Sequence, residues 1–276
     1  MIQFRLLQKI KKLKFVELGI ENKIAIVTGS SSGMGYSVAR NLALSGVKVL
    51  LVARRLNLLK KAAEKIRAEG GEVDYIKGDV SKISTPKKVI NKCLKKWGNV
   101  HILINNTGGP PPGGLMNHNE KNWNFAIQNN LMSVVRFTKL VLPIMKKNNW
   151  GRIITISSTI VKEPSAEMIL SATSRGGISS FTKAIANDFA KYNITANVIS
   201  PGGIMTERFV NLVKIAAKKE NKKFNKKLFE IKKNIPARRI GKPEEIGNTI
   251  VYLASELGGY INGVDLSVDG SFTKGY

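Results

Sequence analysis

Residues Ile24-Ala25-Ile26-Val27-Thr28-Gly29-Ser30-Ser31-Ser32-Gly33-Met34-Gly35 decide how the chain folds. The first four form a short apolar, largely β-branched run, as expected of a strand buried on both faces. A turn of glycine and serine follows at once. A helical pattern comes next, with apolar Val38, Ala39, Leu42 and Ala43, and Gly46 stops it. Strand, glycine turn and helix in direct succession put the turn at a helix N-terminus. Free N–H groups and the positive end of the helix dipole favour an anion there, and glycine lets the main chain approach it closely. The spacing is G-x-x-x-G-x-G over Gly29, Gly33 and Gly35. It differs from the G-x-G-x-x-G of many dinucleotide sites, but the physical reason is similar.

Outward from that turn the alternation continues. Val47 to Val52 reads as a second strand, and Leu56 to Ala68 as an amphipathic helix ended by Gly70-Gly71. Val73 to Ile76 is a third strand, and Thr85-Pro86 opens a helix, since proline at the first helical position loses no bond the helix would use. Ile102 to Ile104 and Arg152 to Ile156 are the fourth and fifth strands, with a long helix between them from about Trp123 to Lys146, kinked at Pro143. A helix from about Ser171 to Tyr192, a strand at Thr195 to Ile199, a helix at Glu244 to Ala254 and a strand at Asp265 to Val268 complete the order. Apolar strands alternating with helices imply a parallel sheet covered on both faces. No internal repeat or long linker divides the chain. The expectation is an α/β fold: a basic N-terminal extension at 1–16, then a single doubly wound Rossmann domain over 17–276 with about seven parallel strands flanked by helices.

Composition sets limits. A chain of 276 residues, 43% of them hydrophobic, can bury one large core. The single cysteine, Cys93, excludes an intramolecular disulfide, suits a reducing compartment and reads as a half-buried small residue on a helix. With 45 basic against 19 acidic residues the net charge is +26, a field that attracts phosphates, nucleic acid or anionic membranes without specificity. The cations are spread along the chain and are mostly lysine, which fits a genome-wide composition bias as well as a binding face. Nothing resembles a nucleic-acid module. His101 and His118 lie in different elements beside one cysteine, so no metal site is expected. No apolar run approaches the ~20 residues of a membrane span, and a cytoplasmic location is expected. Residues 1–16 are basic and apolar; a membrane-surface or targeting helix and a loose extension both remain open. They hold neither the long apolar stretch nor the cleavage site of a signal peptide.

Further motifs stand at the strand ends: Asn105-Asn106-Thr107-Gly108, Ile156-Ser157-Ser158, Pro201-Gly202-Gly203-Ile204-Met205-Thr206, Tyr260-Ile261-Asn262-Gly263 and Val268-Asp269-Gly270. In this order, over about Glu17 to Gly270, the chain resembles the short-chain dehydrogenase/reductase family, nearest to its 3-oxoacyl-acyl-carrier-protein-reductase-like members. The resemblance implies that Gly29, Ser31, Ser32, Gly33 and Met34 wrap the pyrophosphate and adenosine ribose of a dinucleotide. Asp79 would hold the adenine amino group with Val80 beside the ring, although Asp79 also reads as an ordinary strand-end turn residue. Asn106 and Gly108 would line the nicotinamide ribose, and Pro201, Gly202 and Thr206 the carboxamide end. The second strand ends in Ala53-Arg54-Arg55, with no carboxylate for a ribose 2′-hydroxyl. Two guanidinium groups suit a 2′-phosphate, so NADP(H) is expected over NAD(H); two more surface cations are the alternative. Expected partners are a small-molecule carbonyl or alcohol substrate, including an acyl-carrier-protein or coenzyme A thioester, and further copies of the chain in a homo-tetramer or dimer.

In that family a serine polarises the substrate carbonyl and a tyrosine moves the proton. A lysine one helical turn on grips the nicotinamide ribose, and an asparagine supports a proton-relay water. Asn130 and Ser158 match the asparagine and the serine. Thirteen residues past Ser158, however, stands Ser171, and Arg175 follows it, so Y-x-x-x-K has become S-x-x-x-R. Arg175 can replace the lysine as a ribose anchor and fixed charge. An aliphatic hydroxyl is a far weaker acid than a phenol of pKa ~10, and it is shorter. Three readings stand: an oxidoreductase with a proton path through Ser158, Ser171 or a water held by Arg175; a catalytically impaired dinucleotide-binding sensor or structural protein; and different chemistry on the same scaffold. Ser171 also suits a helix N-cap.

Two segments border the expected substrate mouth. Prolines Pro110, Pro111 and Pro112 stiffen the loop from Asn105 to Asn117, as a pocket wall or as a structural turn. At about 204–239, nine lysines from Lys214 to Lys233 alternate with Phe209, Leu212, Val213, Ile215, Phe224, Leu228, Phe229 and Ile231. This reads as an amphipathic lid whose basic rim steers an acidic carrier, or as a solvated face.

Overall fold

Seven strands and nine helices carry residues 17–275, which a computed structural model describes. In chain order they are β1 (Ile24–Thr28), α1 (Gly33–Leu44), β2 (Lys48–Ala53), α2 (Leu56–Ala68), β3 (Val73–Lys77), α3 (Thr85–Trp97) and β4 (Ile102–Asn105). Then come α4 (Glu120–Ala126), α5 (Ser133–Lys147), β5 (Gly151–Ile156), α6 (Ile169–Phe189) and β6 (Ile194–Pro201). The last are α7 (Glu207–Lys219), α8 (Phe224–Asn234), α9 (Pro243–Ala254) and β7 (Asp265–Val268). The basic extension expected at 1–16 lies outside the described residues.

All pairings are parallel and the strand order is β3-β2-β1-β4-β5-β6-β7. The order reverses between β1 and β4, so the loops leaving these two strands part and open a crevice at their carboxyl ends. The site must sit there. The continuous apolar runs are explained by alternation: Ala25, Val27, Val49 and Leu51 face α1, α2 and α9 through Val38, Leu42, Leu59 and Ile250. Ile24, Ile26, Leu50 and Val52 face α3 and α5 through Val89, Phe137 and Val141. Each buried valine, leucine, isoleucine or phenylalanine among them contributes ~1.5–3 kcal/mol.

Three expectations change, and one burial is new. The helix expected from Trp123 to Lys146 has its irregularity at a wide π turn over Ile127–Met132, and Pro143 sits inside α5 at an exposed position. Helix α6 begins at Ile169 behind Met168, so Ser171 is an interior first-turn residue and not the N-cap. Cys93 is fully buried, since α3 turns it straight into the second apolar layer. Arg152, on a central strand, is buried too; its guanidinium donates to Gly151 O (2.9 Å) and Asn193 O (3.0 Å) and lies 4.3 Å from the Trp150 ring.

His101 ties the strand starts together. Its Nδ1 accepts the Ile24 N–H at 3.0 Å, and burial beside Lys23 pushes its pKa down to about 4.

Candidate active site

The glycine turn is bolted to the end of β4. The Thr28 hydroxyl donates to Asn106 O (2.8 Å) and accepts from Asn106 N (2.9 Å), while Asn106 Nδ2 donates to Gly29 O (3.2 Å). This is close packing of two segments of the backbone: Gly29 adopts φ +61°, and a Cβ there would lie 2.5 Å from Asn106 Nδ2. A Cβ on Gly35 would lie 2.3 Å from Gly29 O. Ser30 links the turn to β2 by accepting the Val52 N–H at 2.9 Å. Helix α1 starts behind Ser32 with no side-chain cap and no acid in its first turn, so its first N–H groups and dipole are available to a ligand anion.

Above the turn lies a cavity of about 520 Å³. Gly29, Ser31, Ser32, Gly33 and Met34 form its floor. Arg54 and Arg55 bound it beyond β2, and Val80 lines it with Gly78 after β3. Asn106 and Gly108 close it on the β4 side, and Thr206 at the start of α7. Arg54 reaches across, its Nη2 3.8 Å from where a Gly108 Cβ would be. Arg55 donates to Ser32 Oγ (3.3 Å) and pairs with Glu207 (3.5 Å). Three expected residues stand off the wall. Asp79 turns its carboxylate to the Ser81 N–H (3.0 Å) and hydroxyl (2.7 Å). Pro201 accepts from Thr159, and Gly202 packs so tightly on Asp269 that a Cβ would lie 2.7 Å from its Cβ.

The four expected catalytic residues sit behind the wall. Arg175 is 6% exposed and donates to Ser171 Oγ at 2.6 Å, one helical turn back. Asn130 is held inward by the π turn; its Nδ2 donates to Ser174 Oγ (2.7 Å) and its Oδ1 accepts from Thr107 (3.0 Å) and Asn129 (2.9 Å). Asn129 in turn donates to Gly108 O at 2.7 Å. Thr107 and Asn129 both line the cavity, so a hydrogen-bond chain runs from its wall to α6. Ser158 caps the short turn Thr159–Val161 by accepting the Ile160 N–H at 3.3 Å, leaving its own proton to give.

Sequence reasoning missed Thr107, Asn129 and above all Arg208. Arg208 lines the cavity from the first turn of α7 and donates to Gly109 O (2.9 Å) and Pro110 O (2.8 Å). As one cation in a strongly basic chain it gave no signal, although its place two residues after Thr206 could have flagged it. Burial lowers its pKa, and burial followed by repulsion from Arg208 lowers that of Arg175 to about 10. The lysine-rich segment is less free than its composition implied: Lys219 pairs with Glu167 (2.9 Å), Lys222 with Glu220 (2.7 Å) and Glu230 (2.8 Å), and Lys227 with Glu220. Helix α7 supplies Asn211, Leu212 and Ile215 to the cavity wall, and α8 supplies none.

The family model for short chain dehydrogenases matches residues 23–215. This chain belongs to that family. It is similar to the 3-oxoacyl-acyl-carrier-protein reductase FabG of Escherichia coli (strain K12), 33% identical over 256 residues that cover 92% of this chain and 98% of that protein. Among solved structures it is similar to YwfH, an NADPH-dependent reductase involved in bacilysin biosynthesis, with TM-score 0.88, 30% identity and coverage of 93% and 100%. L-sorbose reductase from Gluconobacter frateurii, solved with NADPH and L-sorbose, gives TM-score 0.90 at 29% identity, covering 95% and 100%. Its sheet order and glycine turn thus belong to a short chain dehydrogenase, a dinucleotide-dependent oxidoreductase scaffold. Among the described residues no helix is long and apolar enough to cross a membrane, and no histidine, cysteine and carboxylate cluster could hold a metal.

Proposed function

We propose that the chain is an NADP(H)-dependent oxidoreductase that interconverts a carbonyl compound and its alcohol. The observation carrying this reading is the single cavity in which the glycine turn, Arg54, Arg55, Asn106, Gly108 and Thr206 meet. The residues fit the cofactor. The uncapped start of α1 suits a pyrophosphate, and β2 ends in two exposed guanidinium groups with no carboxylate. When bound, the nicotinamide supplies or accepts the hydride.

The chain's own residues supply position and the proton. Asn106 and Gly108 bound the ribose side, and Arg175 provides a fixed positive charge behind it. A guanidinium donating to Ser171 Oγ favours loss of that hydroxyl's proton, so the pair Arg175–Ser171 takes the place of a lysine and a phenol. Ser158 polarises the carbonyl with the proton its cap bond leaves free. Asn130, with Thr107, holds α6 and the cavity wall in register. Helix α7 acts as the lid wall, and a 3-oxoacyl thioester is one substrate class that its Leu212 and Ile215 would accommodate.

NADPH oxidation followed by absorbance, on 3-oxoacyl thioesters, diketones and aldehydes, tests the reading beside Ser158→Ala, Ser171→Ala and Arg175→Ala. Turnover lost at Ser158 and Arg175 supports it, and the Ser171 variant reports whether that hydroxyl donates. Tight NADPH binding without turnover on the whole panel points instead to a dinucleotide-binding protein. Removing Arg54 and Arg55 together lowers NADPH affinity about 10- to 100-fold and leaves NADH affinity nearly unchanged, from the ~1.5–3 kcal/mol of a charge-assisted hydrogen bond.

A further inference from the structure

Arg175 and Arg208 are cations in the wrong place for a stable fold. Neither is in an ion pair among the described residues. Arg175 is almost wholly buried, with the neutral Ser171 hydroxyl as its hydrogen-bond partner. Arg208 is half-buried in the cavity wall and spends two of its N–H groups on the carbonyls of Gly109 and Pro110. An arginine has five N–H donors in a planar fork, so Arg208 keeps several for a ligand. The guanidinium packs against the loop: a Cβ on Gly109 would lie 2.3 Å from its Nη2, so a side chain there would displace it.

A guanidinium in a cavity wall with no acid paired to it suits an anionic ligand, and Arg208 is placed in that way. The cofactor's own phosphates have other partners in the proposed pose, at the start of α1 and at Arg54 and Arg55. We infer that a second anion belongs in this cavity: an oxyanion group, carboxylate or phosphate monoester, borne by the carbonyl substrate and gripped by Arg208 with the charge of Arg175 behind it. The inference rests on the oxidoreductase reading for the reaction but not for the binding. In the reaction, hydride adds to the carbonyl carbon and a proton to its oxygen, while NADPH becomes NADP⁺ and the oxyanion passes through unchanged. Fork geometry on a planar oxyanion is the use to which arginine, rather than lysine, is suited. Helix α7 carries Arg208, so the same element that walls the cavity would also choose the substrate.

The test uses pairs of substrates that differ in charge at one group: acetoacetate against methyl acetoacetate, 2-oxobutanoate against its methyl ester, and dihydroxyacetone phosphate against dihydroxyacetone. The charged member is preferred in kcat/KM, the carboxylate and phosphate arms reporting which oxyanion is taken. Arg208→Gln cuts that preference about 10- to 100-fold, and Arg208→Lys keeps part of it. A merely structural role in holding the Gly109 loop would lower both members of each pair equally and overturn the proposal. A second readout needs no turnover: with NADP⁺ bound, oxamate or methyl phosphate raises the melting temperature of the wild type, oxamide does not, and Arg208→Gln removes the difference. If this binding signature appears while no compound is reduced, the oxyanion site stands and the oxidoreductase reading falls. If wild type responds equally to oxamate, methyl phosphate and oxamide, the site falls whatever the panel shows. If Arg208→Gln weakens NADPH binding and leaves the charged preference intact, Arg208 serves the cofactor pyrophosphate and the proposal is overturned.

Discussion

Replacing Arg175 by methionine should make the folded chain more stable while removing its activity. Burial, with repulsion from Arg208, moves the Arg175 guanidinium from the ordinary arginine value down to about 10. At ~1.4 kcal/mol per pH unit this corresponds to a folding cost of about 3 kcal/mol. The folded pKa lies below the unfolded one, so the cost is in full force below about pH 10 and relaxes only as the pH rises past it toward the ordinary arginine value. At neutral pH it is therefore complete and flat. Methionine keeps most of the buried volume but loses the bond to Ser171, which offsets about 1 kcal/mol. A net gain of about 2 kcal/mol remains. For a chain of this length that raises Tm by about 4 °C, at ~2 °C per kcal/mol. Urea denaturation of wild type, Arg175→Met and Arg175→Ala at about pH 7 measures it, with alanine controlling for the cavity left behind. A methionine variant less stable than wild type, with an unchanged m-value, would sink the argument. It would mean that the guanidinium is worth more as a packed, bonded group than it costs as a charge. Stability gained where activity is lost is the pattern expected of a site held under electrostatic strain.

Further outcomes follow from the same geometry. His101 has a folded pKa of about 4, below its ordinary 6.5, so its contribution is whole above pH 6.5 and is lost as the pH falls toward 4. His101→Gln, which can still accept the Ile24 N–H, should flatten that acid limb in a pH series of melting curves. Gly35→Ala forces a Cβ against Gly29 O and should cost about 1–3 kcal/mol of stability, with NADPH affinity lost in fluorescence titration; normal affinity would show that the turn can shift. The Cys93 thiol is fully buried and pushed up to about 12, so a thiol reagent such as dithionitrobenzoate should label it only after unfolding. Labelling of the native chain at the rate of a free thiol would contradict the placement.

Fold and cofactor turn were legible in the chain itself because both are written locally. Runs such as Ile24 to Val27 and Val49 to Val52 are apolar at every position, which only a strand covered on both faces requires, and Gly29 to Gly35 stands directly between a strand and a helix. Spacing from Ser158 also puts Ser171 and Arg175 where the resemblance leads one to expect tyrosine and lysine. Local pattern failed where an outcome depended on neighbours distant in sequence. The π turn that swings Asn129 and Asn130 inward has the same composition as an ordinary helix. The spacing offers Asp79 as an adenine ligand, but only the structure shows that its Oδ1 takes the Ser81 N–H and hydroxyl. Nine lysines looked like one basic rim, whereas Lys219, Lys222 and Lys227 are tied to acids, Lys219 to one contributed by a distant loop. Arg208 shows the difference most clearly. In sequence it is one cation of 45 basic residues; in space it is half-buried over Gly109, beside a second buried guanidinium 33 positions away in the chain. Hydrophobic periodicity is a property of neighbours along the chain and can be read there. The cost of a buried charge depends on what surrounds it, and only the tertiary structure decides that.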